Sequence, residues 1–375
     1  MPHNESAPTT TNGGMTLEEI ARLAGVSRST VSRVVNDEPN VKKATRERVW
    51  QVIDAYDFHP NPAARALAGR HSHIIGLVIP QALTHVFADP YFPTLIQGIA
   101  AACDERDYYL MLSLVLRQSD DIFRRFIRAG HMDGLIITSA MIDDSLVQRL
   151  LDEQFPFMLI GRAPENAEVN FIDADNARGA MMAAQYLVRL GYKRIATITG
   201  PLNTTSAIDR RDGFLAGMRT LGIDVPAEYV QEGDWSQWSG TQAMEHLLHA
   251  TTIPDAVFVA SDSMAVGALQ AIRAAGLRVP EDIALVGFDD IPLASAVDPP
   301  LTTVRQPIHR LGYLAASNLI SLLQTDPVEG QSVSAHGIVL PTELVVRASC
   351  GQALRYAANQ RPQSKGAAKE VNRSR

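Results

Sequence analysis

The feature that most constrains this chain is an alternation that begins at residue 74, where short apolar runs alternate with amphipathic stretches of helical length. Apolar runs separated by helices predict parallel strands buried on both faces of a sheet. Seven such runs over about 270 residues fit two doubly wound subdomains better than one. The predicted strands are 74–79, 109–113, 135–138, 157–160, 195–199, 256–260 and 283–286, and the predicted helices are 92–106, 144–153, 176–190, 206–221, 238–250, 263–275 and 308–324.

Residues 16–57 instead predict three short helices. Thr16 and Glu19 have the spacing of a capping box, and Gly25 suits the left-handed residue that ends a helix. Ser27 is a good N-cap for a second helix over 28–35, and a third helix is expected over about 45–56. The first helix is expected to bury one apolar face, formed by Leu17, Ile20, Ala21, Leu23 and Ala24. Two short helices joined by a glycine-containing turn are typical of a helix-turn-helix DNA-binding domain.

The second of these helices is the one expected to read DNA. Arg28 at its start can donate two hydrogen bonds to guanine O6 and N7, and Arg33 lies one turn further along. Short polar side chains nearby suit base edges or phosphate oxygens. The predicted DNA-binding set in this region is Thr16, Ser27, Arg28, Ser29, Thr30, Ser32, Arg33 and Asn36. A generic three-helix domain with solvated arginines is the alternative.

The run ARLAGVSRSTVSRVVN at residues 21–36 closely resembles the headpiece signature of the lactose-repressor/galactose-repressor (LacI/GalR) family. Residues 45–49 and 60–67 are similar to the same family, and the resemblance extends from residue 16 to about 346. It implies an all-α helix-turn-helix head, a two-lobed α/β body like type I periplasmic binding proteins, and a homodimer on pseudo-palindromic operator DNA. Lys42 departs from the family, which usually has a serine capping the third helix.

A linker with a hinge helix is expected over 59–73, where two prolines flank Asn61 and interrupt the third helix. The resemblance implies that this helix folds on operator DNA and that Leu67 wedges into the central base step, with Asn61 and Arg65 also on DNA. An apolar wedge unstacks a flexible step and bends the duplex. Leu67 could instead pack in a core, but its neighbours are mostly alanines.

A small-molecule effector is expected between the two lobes, because ligands of doubly wound folds bind at the carboxyl ends of strands. Tyr91, Phe92, Arg162 and Ser261 lie in segments that follow predicted strands. The resemblance implies that Arg210 grips ligand hydroxyls, that Trp235 stacks on a sugar, and that Asp289 and Gln306 also bind ligand. Ser261 replaces the family's usual asparagine, and Asp262 beside it is expected to position a loop.

Aromatic rings together with an arginine donor and an aspartate acceptor favour a neutral carbohydrate effector. A purine or a sugar phosphate acting as corepressor is the alternative within this architecture. The sequence has no nucleophile elbow, Walker A loop, HExxH or paired-cysteine motif, so no catalytic residue, metal or cofactor is expected. An enzyme carrying a DNA-binding head, or a periplasmic sugar receptor, therefore fits less well than a transcriptional repressor.

Charge supports this division of the chain. The net charge is −7, but residues 15–70 carry +2 and residues 71–375 carry −8. Two cysteines are too few for a disulfide framework, and the N-terminus is too polar for a secretory signal, so we expect a cytoplasmic protein. The sequence has no apolar run of membrane-spanning length, so no membrane partner is expected. The expected divisions are a disordered tail over 1–14, the head over 15–58, the linker over 59–73, the body over 74–346 and a tail over 347–375. Within the body we expect an N-terminal lobe of about 74–174 plus 306–335 and a C-terminal lobe of 175–305 plus 336–346.

Overall fold

The computed structural model describes residues 15–35, 40–56, 58, 72–80, 83–114, 127, 131–138, 141–142, 145–163, 169–325 and 336–354. The chain divides into two compact units, Met1–Ser72 and His73–Arg375. The boundary agrees with the change of pattern in the sequence, since the first apolar strand begins at Ile74.

The first unit contains the three predicted helices: α1 (Leu17–Ala24), α2 (Arg28–Val35) and α3 (Lys43–Ala55). The capping box forms, with the Thr16 amide donating to Glu19 Oε2 over 2.8 Å, and Gly25 ends α1 with φ of 64°. The core of this unit consists of buried side chains on all three helices, among them Ile20, Val31, Val34, Val49 and Ile53.

Two details of this unit differ from expectation. Leu23 was expected on the buried face of α1, but its exposed fraction is 39%. It lies about 60° around the helix from Ile20, so it does not point in the direction of the buried Ile20 and Ala24. Helix α3 begins at Lys43, two residues before the predicted start. Lys42 occupies its N-cap and forms no side-chain capping hydrogen bond, as the departure from serine implied.

The N-terminal lobe of the second unit is built on a six-stranded parallel sheet in the order β11-β5-β4-β3-β1-β2. Its core contains buried side chains from a strand and two helices, such as Leu77, Leu95 and Leu319. The strands are β1 (Ile74–Ile79), β2 (Tyr109–Leu114), β3 (Gly134–Thr138), β4 (Phe157–Ile160), β5 (Phe171–Ala174) and β11 (Gly337–Leu340). The described helices are α4 (Leu83–Ala88), α5 (Tyr91–Asp104), α6 (Ser145–Asp152) and α12 (Ile308–Gln324).

The C-terminal lobe has a second six-stranded sheet in the order β12-β10-β9-β8-β6-β7, in which only β12 runs antiparallel. Phe214, Phe258 and Phe288 are fully buried beside this sheet. The strands are β6 (Ile195–Thr199), β7 (Val230–Glu232), β8 (Ala256–Val259), β9 (Ala284–Asp289), β10 (Thr302–Arg305) and β12 (Glu343–Val345). The helices are α7 (Asn176–Arg189), α8 (Thr205–Arg219), α9 (Gln237–Leu248), α10 (Asp262–Ala274) and α11 (Pro292–Ala296).

The chain crosses between the lobes three times, after β5, after β10 and after β11. The prediction that 336–346 belongs wholly to the C-terminal lobe is wrong, because Gly337–Leu340 pairs with Phe171–Ala174 in the N-terminal sheet. The predicted tail over 347–375 also begins too early. A 3-10 helix covers Ala348–Cys350, and the Ser349 hydroxyl donates to the Leu285 carbonyl over 2.7 Å inside the C-terminal lobe.

Helices α5 and α12 cross at very short range in the N-terminal lobe. A Cβ at Gly98 would fall 2.0 Å from the His309 carbonyl oxygen, and one at Gly312 would fall 2.3 Å from the Leu95 carbonyl oxygen. Each glycine therefore faces backbone of the other helix, which cannot rotate away as a side chain can. This crossing holds α12 against the sheet directly after the chain returns from the C-terminal lobe.

We expect Gly98→Ala to lower the free energy of unfolding by about 1–3 kcal/mol, because the added methyl group must push the two backbones apart. Gln97→Ala is the control, since Gln97 is exposed on the same helix and its loss should change stability by less than about 0.5 kcal/mol. Urea unfolding of the full chain measures both. Equal stability of the two variants would show that the crossing relaxes without strain.

Candidate ligand-binding cleft and DNA-reading helix

A cleft of about 200 Å³ lies between the two lobes. Residues at the ends of strands from both sheets line this cleft, which is where doubly wound folds bind ligands. The structure brings all eight predicted effector-binding side chains to this one cleft: Tyr91, Phe92, Arg162, Arg210, Trp235, Ser261, Asp289 and Gln306.

Arg210 is a buried cation at the centre of the cleft, with an exposed fraction of 5%. Helix α8 carries it inward, and the guanidinium donates to Asn176 Oδ1 over 2.8 Å and to the Ala260 carbonyl over 2.6 Å. Its Nη1 also lies 3.3 Å from Asp289 Oδ1. The flat face of the guanidinium lies 3.8 Å from the centre of the Phe288 ring. These contacts offset the cost of burying the charge and fix the direction of the side chain.

Asp289 and Gln306 form the opposite half of this arrangement. Gln306 Nε2 donates to Asp289 Oδ1 over 2.6 Å, and both residues are buried. Asp289 ends β9 with a φ of 116°, and Asp290 follows with 58°. A non-glycine residue seldom adopts such a backbone, so the surrounding contacts must hold it there. The turn directs the Asp289 carboxylate into the cleft.

The adjacent carboxylates of Asp289 and Asp290 point in different directions. Asp290 accepts from Arg305 Nε and from Arg347 Nη2, each over 2.6 Å, and does not line the cleft. The two groups therefore do not form a facing pair suited to acid–base catalysis.

Three aromatic side chains supply apolar surface to the cleft. Tyr91 and Phe92 lie edge to face with ring centres 5.3 Å apart at the start of α5. Trp235 lies on the C-terminal lobe with a φ of 73°, and its ring lies so close to Gly200 that a Cβ there would fall 2.2 Å from it. The Arg210 guanidinium carbon is 5.4 Å from the Trp235 ring centre. The indole is therefore held in place by glycine backbone and by the buried cation.

Two of the predicted ligand-binding residues, Arg162 and Ser261, also form contacts with other residues of the protein. Arg162 follows β4 and forms a two-pronged ion pair across the cleft with Asp209 of α8, at 2.9 Å from Nε and 2.5 Å from Nη2. Ser261 caps α10 by accepting from the Met264 amide over 3.2 Å. Both residues line the cleft, and each also has a structural contact within the protein.

Asp262 acts as the sequence reading expected, as a positioning group rather than part of the cleft lining. It is fully buried and accepts from the Ile291 amide over 3.0 Å and from the Thr303 hydroxyl over 2.6 Å. Burial and the nearby Asp289 raise the pKa of its carboxyl well above the usual range.

Among the polar residues of the cleft that sequence reasoning missed are Thr138, Asp173 and Asn176, which are all buried. Thr138 ends a predicted strand, so its place at the rim could have been found. Asp173 lies in β5, which is only four residues long and was not predicted. Asn176 was missed because it is the first residue of α7, a position that asparagine often occupies without binding a ligand.

Burial dominates the acid–base behaviour of the cleft carboxyls. It raises the pKa of Asp173 to about 7 and that of Asp289 to about 7, although Arg210 favours the ionised form of both. Burial also raises the pKa of Tyr91. The cleft thus holds two carboxyls whose charge changes near neutral pH.

The candidate DNA-reading residues lie at the exposed start of α2. The Ser27 hydroxyl caps this helix by accepting from the Thr30 amide over 3.2 Å, and it also bonds the Ser29 and Thr30 hydroxyls over 2.8 Å. Arg28 is exposed and its Nε lies 2.6 Å from Glu18 Oε1 of α1. Arg33 is exposed and Ser32 is half-buried one turn further along. Thr16 caps α1, whereas the predicted DNA contacts Asn36, Asn61, Arg65 and Leu67 lie outside the described residues.

Within the described part of the chain, no helix is long and apolar enough to cross a lipid bilayer. The same residues contain no cluster of three or more His, Cys, Asp and Glu side chains that could hold a metal ion.

Comparison with known proteins connects the two units to known families. The description "Bacterial regulatory proteins, lacI family" matches residues 16–61, and "Periplasmic binding protein-like domain" matches residues 184–350. The HTH-type transcriptional regulator CelR of Thermobifida fusca is 36% identical over 338 residues, which cover 89% of this chain and 98% of CelR. The ribose operon repressor of Escherichia coli K12 is 35% identical over 330 residues, covering 87% of this chain and 98% of that repressor.

Solved structures agree with these relatives. A complex of CelR with cellobiose superposes with a TM-score of 0.70 at 34% identity, covering 89% of this chain and 99% of that one. A lac repressor dimer bound to operator and the anti-inducer ONPF superposes with a TM-score of 0.77 at 31% identity, covering 90% and 99%. These relatives are transcriptional regulators, which confirms the prediction of a non-enzymatic function. The chain therefore belongs to the LacI family of ligand-controlled, DNA-binding transcriptional regulators.

Proposed function

We propose that this chain is a repressor that binds a pseudo-palindromic operator as a homodimer and whose operator affinity is set by a small neutral carbohydrate in the cleft. The observation that carries the choice of ligand is the buried group of Arg210, Asp289 and Gln306 beside the rings of Trp235 and Tyr91. Sugar hydroxyls need donors and acceptors together, and the faces of a sugar ring need apolar surface.

The charges of the cleft favour a neutral ligand over a sugar phosphate. Its two arginines are each paired with a carboxylate, Arg162 with Asp209 and Arg210 with Asp289. Asp89 and Asp173 add further acidic groups to the lining. An anionic ligand would therefore meet net negative charge in a site of low dielectric constant.

The proposed control of DNA binding is a change in the angle between the lobes that is transmitted to the linker. Effector and operator then influence each other's affinity by the same factor, as thermodynamic linkage requires. We place this activity in the cytoplasm, where operator DNA is found, and the free, buried thiols of Cys103 and Cys350 agree with a reducing compartment.

Arg210→Ala tests the effector site. We expect the variant to bind operator normally but to lose the response to any sugar that raises the melting temperature of the wild type, because the hydroxyl-binding donor is gone. A thermal-shift screen of neutral sugars, sugar phosphates and purines finds that ligand. Fluorescence anisotropy with labelled operator then measures the response.

Arg211→Ala is the matched control, since Arg211 is the next residue on α8, pairs with exposed Asp212 and does not line the cleft. Trp235→Leu provides a second test that leaves the buried ion pair in place. A normal sugar response in both Arg210→Ala and Trp235→Leu would refute the site. If only purines raise the melting temperature, the effector is a purine and not a carbohydrate.

Arg28→Ala tests the reading helix. We expect it to relax base preference at one position in each half-site and to cost about 1–3 kcal/mol on the preferred operator, because a bidentate contact to guanine is lost. Arg22→Ala removes the same charge from the exposed face of α1 and should leave base preference unchanged. Competition binding with single-base operator variants measures the effect. Unchanged preference in Arg28→Ala would remove Arg28 from the set of base-reading residues.

Leu67→Ala tests the proposed hinge wedge. We expect specific operator affinity to fall by about tenfold or more while affinity for unrelated duplex DNA stays the same, because the wedge acts only on a bent operator. Ala68→Gly, at the next position, is the control for loss of helix propensity alone. Equal losses on operator and on unrelated DNA would show that Leu67 does not wedge.

A further inference from the structure

Asp173 is a buried carboxylate on the N-terminal side of the cleft that family resemblance did not point to. It lies in β5, has an exposed fraction of 6% and lines the cleft. Its Oδ1 accepts from the Ala174 amide over 2.8 Å and from Asn176 Nδ2 over 3.0 Å. Among the described residues, no side chain or backbone group donates to its second oxygen, Oδ2.

Asn176 connects this carboxylate to the central cation. Its Nδ2 donates to Asp173 Oδ1, and its Oδ1 accepts from Arg210 Nε over 2.8 Å. Arg210 Nη1 donates to Ala260 and Asp289, which leaves Nη2 without a partner among the described residues. One edge of each charged group is therefore committed to the protein, and the other edge is available to a ligand.

We propose that Asp173 is a second ligand-binding carboxylate, whose Oδ2 accepts a hydrogen bond from an effector hydroxyl while Arg210 and Asp289 bind hydroxyls from the other lobe. This inference rests on the proposed carbohydrate function and deepens it. A carboxylate oxygen with no donor in the protein keeps its full capacity to accept from a ligand hydroxyl, and a hydrogen bond to an ionised acceptor is stronger than one to a neutral acceptor. The effector must then present hydroxyl groups on two sides, as a polyhydroxylated ring does and a flat purine does not.

The charged surroundings of Asp173 determine how binding should vary with pH. Arg162 acts on it from the segment after β4, and Asp209 and Arg210 act on it from α8, while Asp89, Tyr91 and Asp289 line the same cleft. Burial raises its pKa to about 7, and a hydroxyl donates better to the ionised form. Effector affinity should therefore rise as pH increases from 6 to 8. Asp289 contributes in the same direction, so the variant must be compared with the wild type.

Asp173→Asn is the informative variant because its amide oxygen can still accept from Ala174 and Asn176 while Oδ2 becomes an NH₂ donor. The probe is whichever of ribose, glucose and cellobiose binds the wild-type full chain most tightly by calorimetry. We expect Asp173→Asn to weaken that sugar by about tenfold to a hundredfold. The rise in affinity between pH 6 and 8 should also be smaller than in the wild type.

Asp175→Asn is the matched control, since it makes the same change two residues away at the N-cap of α7, outside the cleft lining, and asparagine caps as well as aspartate. We expect it to bind the probe sugar as the wild type does. Operator affinity without sugar should be the same in all three proteins, which reports an intact fold.

Singly deoxygenated analogues of the probe sugar identify the hydroxyl. We expect one analogue to bind the wild type more weakly than the parent sugar does. The same analogue and the parent sugar should bind Asp173→Asn with equal affinity. Wild-type affinity in Asp173→Asn, or equal penalties in both proteins for every analogue, would overturn the assignment of Asp173 alone. If the wild type binds none of these three sugars and no other neutral sugar in the thermal-shift screen, the proposed carbohydrate function fails and the inference fails with it.

Discussion

The cleft depends on the burial of one guanidinium, that of Arg210. A buried cation is tolerated only where hydrogen bonds and a countercharge replace its water. Here these come from the start of α7 through Asn176, from the end of β8 through Ala260 and from the end of β9 through Asp289. Because all three must reach the same guanidinium, the ends of two strands and the start of one helix meet at one point. The positive φ of Asp289 is held by the same requirement.

The parts of the fold that the sequence predicted are those whose pattern is local. Strands such as Ile74–Ile79 and Phe157–Ile160 are continuous apolar runs, and the structure has them at the predicted bounds. The missed strands are short and mixed in polarity, because they lie at or near sheet edges; Phe171–Ala174 and Val230–Glu232 are examples. Asp173 was missed together with its strand, because it lies inside Phe171–Ala174.

Contacts between residues far apart in the chain could not be read from local pattern at all. The arginine after β4 suggested ligand binding, but its partner Asp209 is 47 residues away and on the other lobe. Ser261 shows a different difficulty, because the same hydroxyl that caps α10 also lies at the cleft. A capping residue and a ligand-binding residue have the same preferred chemistry and the same place at a strand-to-helix turn, so only the fold separates them.

The acidic body and the mildly basic head follow from different physical needs. Base reading needs a few donors in the major groove, and Arg28 and Arg33 are the proposed donors on a head of +2. In the body, the carboxylates of the cleft outnumber its arginines, which suits hydroxyl donors and repels phosphate groups. In the proposed function, an acidic body limits nonspecific attraction to DNA, so we expect operator binding to depend on the heads and linkers together.

The chain crossings place the proposed ligand contacts where a ligand could change the angle between the lobes. Asp173 and Asn176 flank the crossing after β5, and Gln306 lies in the crossing between β10 and α12. Gln306 bonds Asp289 of the C-terminal lobe, while α12 packs on the N-terminal sheet two residues later. A ligand can shift a conformational equilibrium only by binding one state better than the other. A sugar that binds Asp173 on one lobe and Asp289 on the other meets both partners at only one lobe angle, so its binding energy acts directly on the crossings that set that angle.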